Sequence, residues 1–98
     1  MNVGEFLAQK VGNMYRWLKE EGLPVDLPTV ANVQLVAMAQ RLHKKYSDAI
    51  YEEDFEPLLA DKENLPPEML MAVSFVQRRP ELHEKFWRYL ALFSDTVV

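Results

Sequence analysis

The stretch from residue 66 to residue 93, PPEMLMAVSFVQRRPELHEKFWRYLALF, constrains the fold more than any other part of the chain. Its first half is apolar at almost every position from Met69 to Val76, so a helix there is apolar nearly all round and has to be buried. We expect Phe75 to be fully buried in it. The second half alternates apolar and charged residues at helical spacing, which predicts an amphipathic helix at the surface.

Prolines mark the ends of these two helices. Pro66 and Pro67 follow Asn64, and a capping side chain before first-turn prolines is typical of a helix start. Pro80 lacks an amide hydrogen and disfavours helical geometry at Arg79, so the chain is predicted to turn a corner there. We therefore expect a helix pair joined at Arg79 and Pro80.

The amino-terminal half predicts two more helices. Residues 3–21 carry apolar side chains at helical spacing, and Gly22 provides the stop. An extended connector with two prolines follows, after which Asp26 or Thr29 is expected to cap the second helix. That helix, about residues 30–46, has an apolar arc wide enough to contact two neighbours, so we expect it near the centre of the bundle.

Charge is strongly segregated along the chain. Residues 48–68 contain eight acidic residues and one lysine, a net charge of -7, and the remainder of the chain is +3. Ser47 or Asp48 is expected to cap a short acidic helix that runs as far as Leu59, with Pro57 breaking or kinking it. Because Ile50, Tyr51, Phe55, Leu58 and Leu59 interrupt the acids, the segment is expected to bury one side.

Two interpretations of this acidic segment stay open. Glu52, Glu53, Asp54 and Glu56 are spaced so that they can dock on a basic partner surface or imitate a phosphate backbone. The simpler interpretation is a solvated face that keeps an acidic protein in solution.

Residues suited to catalysis or metal binding are scarce. The chain has no cysteine, which excludes disulfides and thiolate sites and favours a reducing compartment. His43 and His83 lack a second histidine at ligand spacing, and the chain has neither a nucleophile elbow nor a glycine-rich phosphate loop. We therefore expect no catalytic, cofactor or metal site, and a protein that is not an enzyme.

The chain also lacks features of membrane or nucleic-acid binding. We expect no leader peptide or membrane anchor, because the amino terminus has no long apolar run. A net charge of -4 opposes attraction to nucleic acid. The basic residues Arg78, Arg79, Lys85 and Arg88 invite comparison with a helix-turn-helix, but the preceding helix is too apolar for that motif. A cytoplasmic protein without direct nucleic-acid contacts is expected.

Together these patterns predict an all-α fold, a compact bundle of four main helices plus a short acidic helix in one domain spanning residues 1–98. The expected function is that of an acidic protein-binding module, an adaptor, assembly factor or inhibitor of another protein. One alternative is a homo-oligomeric structural protein, such as a homodimer, that pairs through surplus aromatic residues. Another is an inhibitor of a nucleic-acid enzyme acting through residues 48–68. The predicted partner-binding residues are Glu52, Glu53, Asp54, Glu56 and Trp87.

Overall fold

The chain forms α-helices joined by short connections. The computed structural model describes residues 3–24 and 32–96, which form α1 (Val3–Glu20), α2 (Asn32–Glu52), α3 (Glu56–Ala60), α4 (Pro67–Gln77) and α5 (His83–Thr96). The predicted all-α bundle of four main helices and a short acidic helix is confirmed. Its radius of gyration, 12.3 Å, is that of a compact chain of this length. The predicted caps Asp26 and Thr29 lie outside the described residues.

Helices α1, α2 and α5 pack against one another and form the centre of the molecule. Helix α1 contributes a stripe of apolar side chains at helical spacing, and α5 contributes the facing stripe. The fully buried larger side chains of these two helices are Val11, Met14, Tyr15, Leu18, Phe86 and Leu90. Helix α2 contacts both α1 and α5, which agrees with the predicted central position.

Helix α4 is buried on one side only, contrary to the expectation that it is hidden all round. Its inner face consists of the buried residues Met69, Ala72, Val73 and Val76. Met71 on the outer face is 40% exposed, and Phe75 is only partly buried. The expectation of a fully buried Phe75 is therefore wrong, because α4 packs against α3 and α5 along one flank rather than passing through the middle.

The predicted start of α4 is also corrected. Asn64 does not cap the helix but belongs to a 3-10 turn, Lys62–Asn64, and its Nδ2 donates to Asp61 Oδ1 at 2.6 Å. Helix α4 begins after the extended residue Pro66 without a side-chain cap. The corner at Arg79 is confirmed, since that residue has φ -126° and ψ 83° and a short 3-10 turn, Pro80–Leu82, leads into α5.

Helix α2 runs further than the sequence predicts. It continues to Glu52 through a bend at Tyr46, whose φ of -124° and ψ of 22° are not helical. The predicted acidic helix from Ser47 to Leu59 is therefore divided into the last part of α2 and the separate helix α3. Pro57 lies in the first turn of α3, where its missing N–H costs nothing, and so it begins a helix rather than breaking one.

Candidate functional site

The strongest candidate site is where α2 ends and α3 begins. We define the acidic edge as Tyr51, Glu52, Glu53, Asp54 and Glu56. All four of its acidic residues, which the sequence analysis predicted as partner-binding, are exposed. Tyr51 is 90% exposed, the largest exposure of any large apolar or aromatic side chain in the described part of the chain. The acidic edge thus consists of four exposed acidic residues and one exposed tyrosine that are close together in the chain.

The backbone at Glu53 explains how the chain turns here. The amide of Glu53 donates to the carbonyl of Ile50 at 3.2 Å, and the amide of Asp54 donates to the carbonyl of Ala49 at 3.0 Å. This pair of bonds is the Schellman arrangement that closes a helix, and it requires a left-handed residue, usually glycine. Here the residue is a glutamate with φ 55°, a conformation that costs an L-residue about 1–2 kcal/mol.

Asp54 has a structural part in the acidic edge. Its Oδ1 accepts a hydrogen bond from the amide of Glu56 at 3.0 Å, which satisfies a backbone donor at the start of α3. The carboxylates of Glu52, Glu53 and Glu56, in contrast, form no hydrogen bond or ion pair with another described residue. These three negative charges face solvent without a neutralising partner among the residues that the structure describes.

An aromatic cluster supports the acidic edge from below. Phe55, between Asp54 and Glu56, lies 4.6 Å from Trp87 and 4.9 Å from His83, measured between ring centroids. Trp87 itself is 3% exposed. A partner contact by Trp87 requires an exposed indole, and the structure places it in the core instead. Its connection with the acidic edge is therefore indirect, through Phe55.

Two shallow hollows flank Glu53, and both open to solvent. The first, which we call the α2–α5 groove, is lined by Ile50, Tyr51, Glu53, Glu84, Trp87, Arg88 and Ala91. The second is lined by Glu53, Asp54, Phe55, Glu56, Leu59, Gln77 and His83. The α2–α5 groove has apolar side chains beside an acidic rim, so the edge offers apolar contact as well as charge.

Asp61 fixes the far side of this region. Its Oδ2 accepts from the Tyr46 hydroxyl at 2.5 Å and pairs with Lys45 Nζ at 2.7 Å, and Asn64 donates to Oδ1. The hydrogen bonds from Lys45, Tyr46 and Asn64 hold the pKa of Asp61 well below its ordinary value. Burial, together with the bond to Asp61, raises the pKa of Tyr46 to about 12. The bend in α2 is thereby tied to the turn after α3.

The described side chains do not assemble a metal site. In residues 3–24 and 32–96, no group of three or more histidine, aspartate or glutamate side chains is arranged to hold an ion. No helix in the same ranges is long and apolar enough to cross a membrane. The acidic edge presents charge and apolar surface, which are properties suited to recognition.

Tyr51 is the residue that sequence reasoning missed, since we expected it on the buried side of the acidic helix. Ile50 is buried as expected, but Tyr51 is its neighbour on a continuing helix and so points about 100° away. The signal was present in α2: buried positions Tyr46, Ala49 and Ile50 continue the helical spacing beyond Tyr46, and this spacing leaves Tyr51 on the outside.

Comparisons with known proteins identify no relative: no protein family, curated protein or solved structure matches this chain.

Proposed function

We propose that this chain is a small acidic protein-binding module, an adaptor, assembly factor or inhibitor, whose acidic edge docks on a basic surface of another protein. The observation that carries the proposal is Tyr51, 90% exposed beside three carboxylates that have no described partner. Tyrosine supplies a large contact area at low entropic cost and is enriched where proteins meet. The proposal involves no catalytic step, and its expected compartment is the cytoplasm because the chain lacks cysteine.

The strained backbone at Glu53 supports the proposal. Glycine would close α2 with the same two hydrogen bonds and without the cost of a Cβ at φ 55°. Strained residues persist where the surrounding structure enforces them, and they are frequent at functional sites. A glutamate here sacrifices stability and places a carboxylate at the centre of the acidic edge, between the two hollows.

The two alternative functions receive less support. A homo-oligomer was expected to use surplus aromatic residues, but among those that the structure describes Tyr15, Trp17, Phe86 and Trp87 are buried, Phe55 is partly buried and only Tyr51 is exposed. Imitation of a phosphate backbone needs carboxylates spaced along one face, whereas these four lie on the end of α2, on the connection and on the start of α3. Docking on a basic protein surface requires only that they lie together.

The test compares two variants with equal changes of charge. The first replaces Glu52, Glu53 and Glu56 by glutamine and leaves Asp54 in place because it accepts a hydrogen bond from the Glu56 amide. The matched control replaces the exposed residues Glu5, Glu20 and Glu63 by glutamine. Each protein serves as bait in a lysate of its native host, and retained proteins are quantified by mass spectrometry. We expect that the wild type and the control retain proteins that the first variant does not.

Equal retention by both variants, with unchanged helical circular dichroism, would overturn the proposal. Light scattering at micromolar concentration addresses the homo-oligomer separately. A mass twice that of the 11.5 kDa chain, reduced to the monomer by the Glu52, Glu53 and Glu56 substitutions, would assign the acidic edge to self-association instead.

A further inference from the structure

We infer that the partner segment recognised by the acidic edge is basic and amphipathic: it inserts one aliphatic side chain into the α2–α5 groove while its lysine or arginine residues contact Glu52 and Glu53. This inference rests on the proposed function and specifies the chemistry of the partner.

The apolar part of the groove comes from two helices. Ile50 and Trp87 are buried residues whose edges line it, so they are held in place by the core. Tyr51 lines the groove from α2, and Ala91, which is partly exposed, lines it from α5. Because alanine ends at its Cβ, α5 contributes little bulk at this position of the groove. The space suits a branched aliphatic side chain.

The charges around the groove determine which sign of charge the partner segment needs. Glu84 and Arg88 both line it, but Arg88 NH2 donates to Glu84 Oε1 at 2.5 Å, so these two charges compensate each other. Glu53 also lines the groove and has no described partner, so it leaves one uncompensated negative charge among the lining residues, and the exposed Glu52 adds a second nearby in the chain. The rim is therefore negative, which favours a cationic segment and opposes nucleic acid or an acidic peptide.

The ion pairs and the buried aliphatic side chain contribute differently to the affinity for the partner. Exposed ion pairs add little to affinity and are screened by salt, whereas burial of an aliphatic side chain adds affinity that salt does not weaken. The carboxylates thus determine the sign of the partner's charge. The groove distinguishes one basic segment from another by whether the segment carries an aliphatic side chain.

The experiment uses two short synthetic peptides that carry the same lysines and differ in the central residue, leucine or serine. Each peptide is titrated into the full ¹⁵N-labelled chain, and amide shifts are recorded at low and at physiological salt. The leucine peptide is expected to bind roughly fivefold to tenfold more tightly, with its largest shifts at Tyr51, Glu53 and Ala91. Ala91→Gln, which fills the groove, is expected to abolish this preference. Ala37→Gln, at an exposed position of α2, is expected to preserve it.

The remaining outcomes separate the inference from the proposed function. Both peptides could bind equally and lose binding when Glu52, Glu53 and Glu56 become glutamine. That result would overturn the proposed role of the groove and leave the acidic edge as the binding surface. No shift with either peptide would overturn both. If the same amides shift with protein concentration alone, the groove is occupied by a second copy of this chain, and the basic partner is wrong.

Discussion

Helices α1 and α2 end with the same hydrogen-bond pattern but with different residues at the turn. At the end of α1 the left-handed residue is Gly22, φ 114°, and the next residue, Leu23, donates to Leu18 O at 2.9 Å. At the end of α2 the corresponding residues are Glu53 and Asp54. Glycine followed by an apolar residue is the usual chemistry of this cap, and two acids are not.

The residue after each turn shows what each end serves. Leu23 is buried in the same core cluster as Leu18, so the first turn is anchored by apolar packing. Asp54 is exposed, and its side chain instead accepts a hydrogen bond from the amide of Glu56, the first residue of α3. The end of α1 is therefore stabilised by a glycine turn and apolar packing. The end of α2 has a strained turn, and its charged side chains face solvent.

A long-range contact reinforces this difference. Arg79 NH1 donates to the backbone carbonyl of Glu21 at 2.8 Å, and Arg79 Nε donates to Glu81 at 2.6 Å. The first helix end is therefore joined to the corner between α4 and α5. The end of α2 at Glu53 has only neighbouring residues as described hydrogen-bond partners.

The largest difference is expected when the residue after each turn is truncated. Leu23→Ala should lower the free energy of unfolding by about 2–5 kcal/mol, because it removes a buried side chain and leaves a cavity. Asp54→Ala should cost about 0.5–1.5 kcal/mol, the net value of its hydrogen bond with the Glu56 amide. Urea denaturation of both variants measures the difference. Equal costs would show that the two ends are anchored alike.

A smaller effect is expected from Gly22→Ala, which should lower the free energy of unfolding by about 1–3 kcal/mol. The loss comes from the backbone, because an added Cβ meets nothing closer than Phe75 Cζ at 3.9 Å. Gly12 is the matched control: it lies inside α1 with nothing within 4 Å of an added Cβ, so Gly12→Ala should gain up to about 1 kcal/mol. Equal shifts in the urea midpoint would contradict the left-handed role of Gly22.

Glu53→Gly should stabilise the fold, in contrast to Gly22→Ala. We expect the free energy of unfolding to rise by about 1 kcal/mol, because glycine adopts a φ of 55° without strain. Glu52→Gly makes the same charge change one residue earlier, at the last residue of α2, and should lower the free energy of unfolding by up to about 1 kcal/mol. Thermal and urea unfolding give both values. A destabilised Glu53→Gly protein would mean that the glutamate side chain contributes to folding.

The smallest effect that we predict concerns pH and the pair formed by Asp61 and Tyr46. The lowered pKa of Asp61 stabilises the fold above its ordinary pKa of about 4, and this stabilisation is lost as pH falls below that value. The pKa of Tyr46, raised to about 12, stabilises the fold below about pH 10, and that contribution is lost as pH rises from about 10 to 12. The urea midpoint should decline at both extremes. Asp61→Asn should flatten the acid decline, and Tyr46→Phe the alkaline one.

The same contrast separates what the sequence could predict from what it could not. The stop at Gly22 and the corner at Arg79 depend on glycine and proline, whose backbone preferences are local, and both were predicted correctly. The turn at Glu53 was missed because a glutamate carries no local signal for φ above zero.

The contacts of Asp61 were beyond prediction for a related reason. Its partners Lys45 and Tyr46 lie on α2, and the approach of the two segments depends on the bend at Tyr46, which no proline or glycine marks. The acidic residues of the candidate site were identified from their charge alone. Their division between the end of α2 and the start of α3 was not predicted, because the left-handed turn at Glu53 that separates the two helices has no local signal in the sequence.

The hydrogen bond between Arg79 and Glu21 joins residues 58 positions apart, which matters while the protein is being synthesised. At ribosomal rates of roughly 5–20 residues per second, Glu21 is made roughly 3–12 s before the arginine that binds it. Helix α5, which covers the apolar stripe of α1, is translated later still. Until α5 is made, α2 is the only one of its two main packing partners that the amino-terminal helix has, so the three-helix centre of the fold is completed by the last helix to be translated.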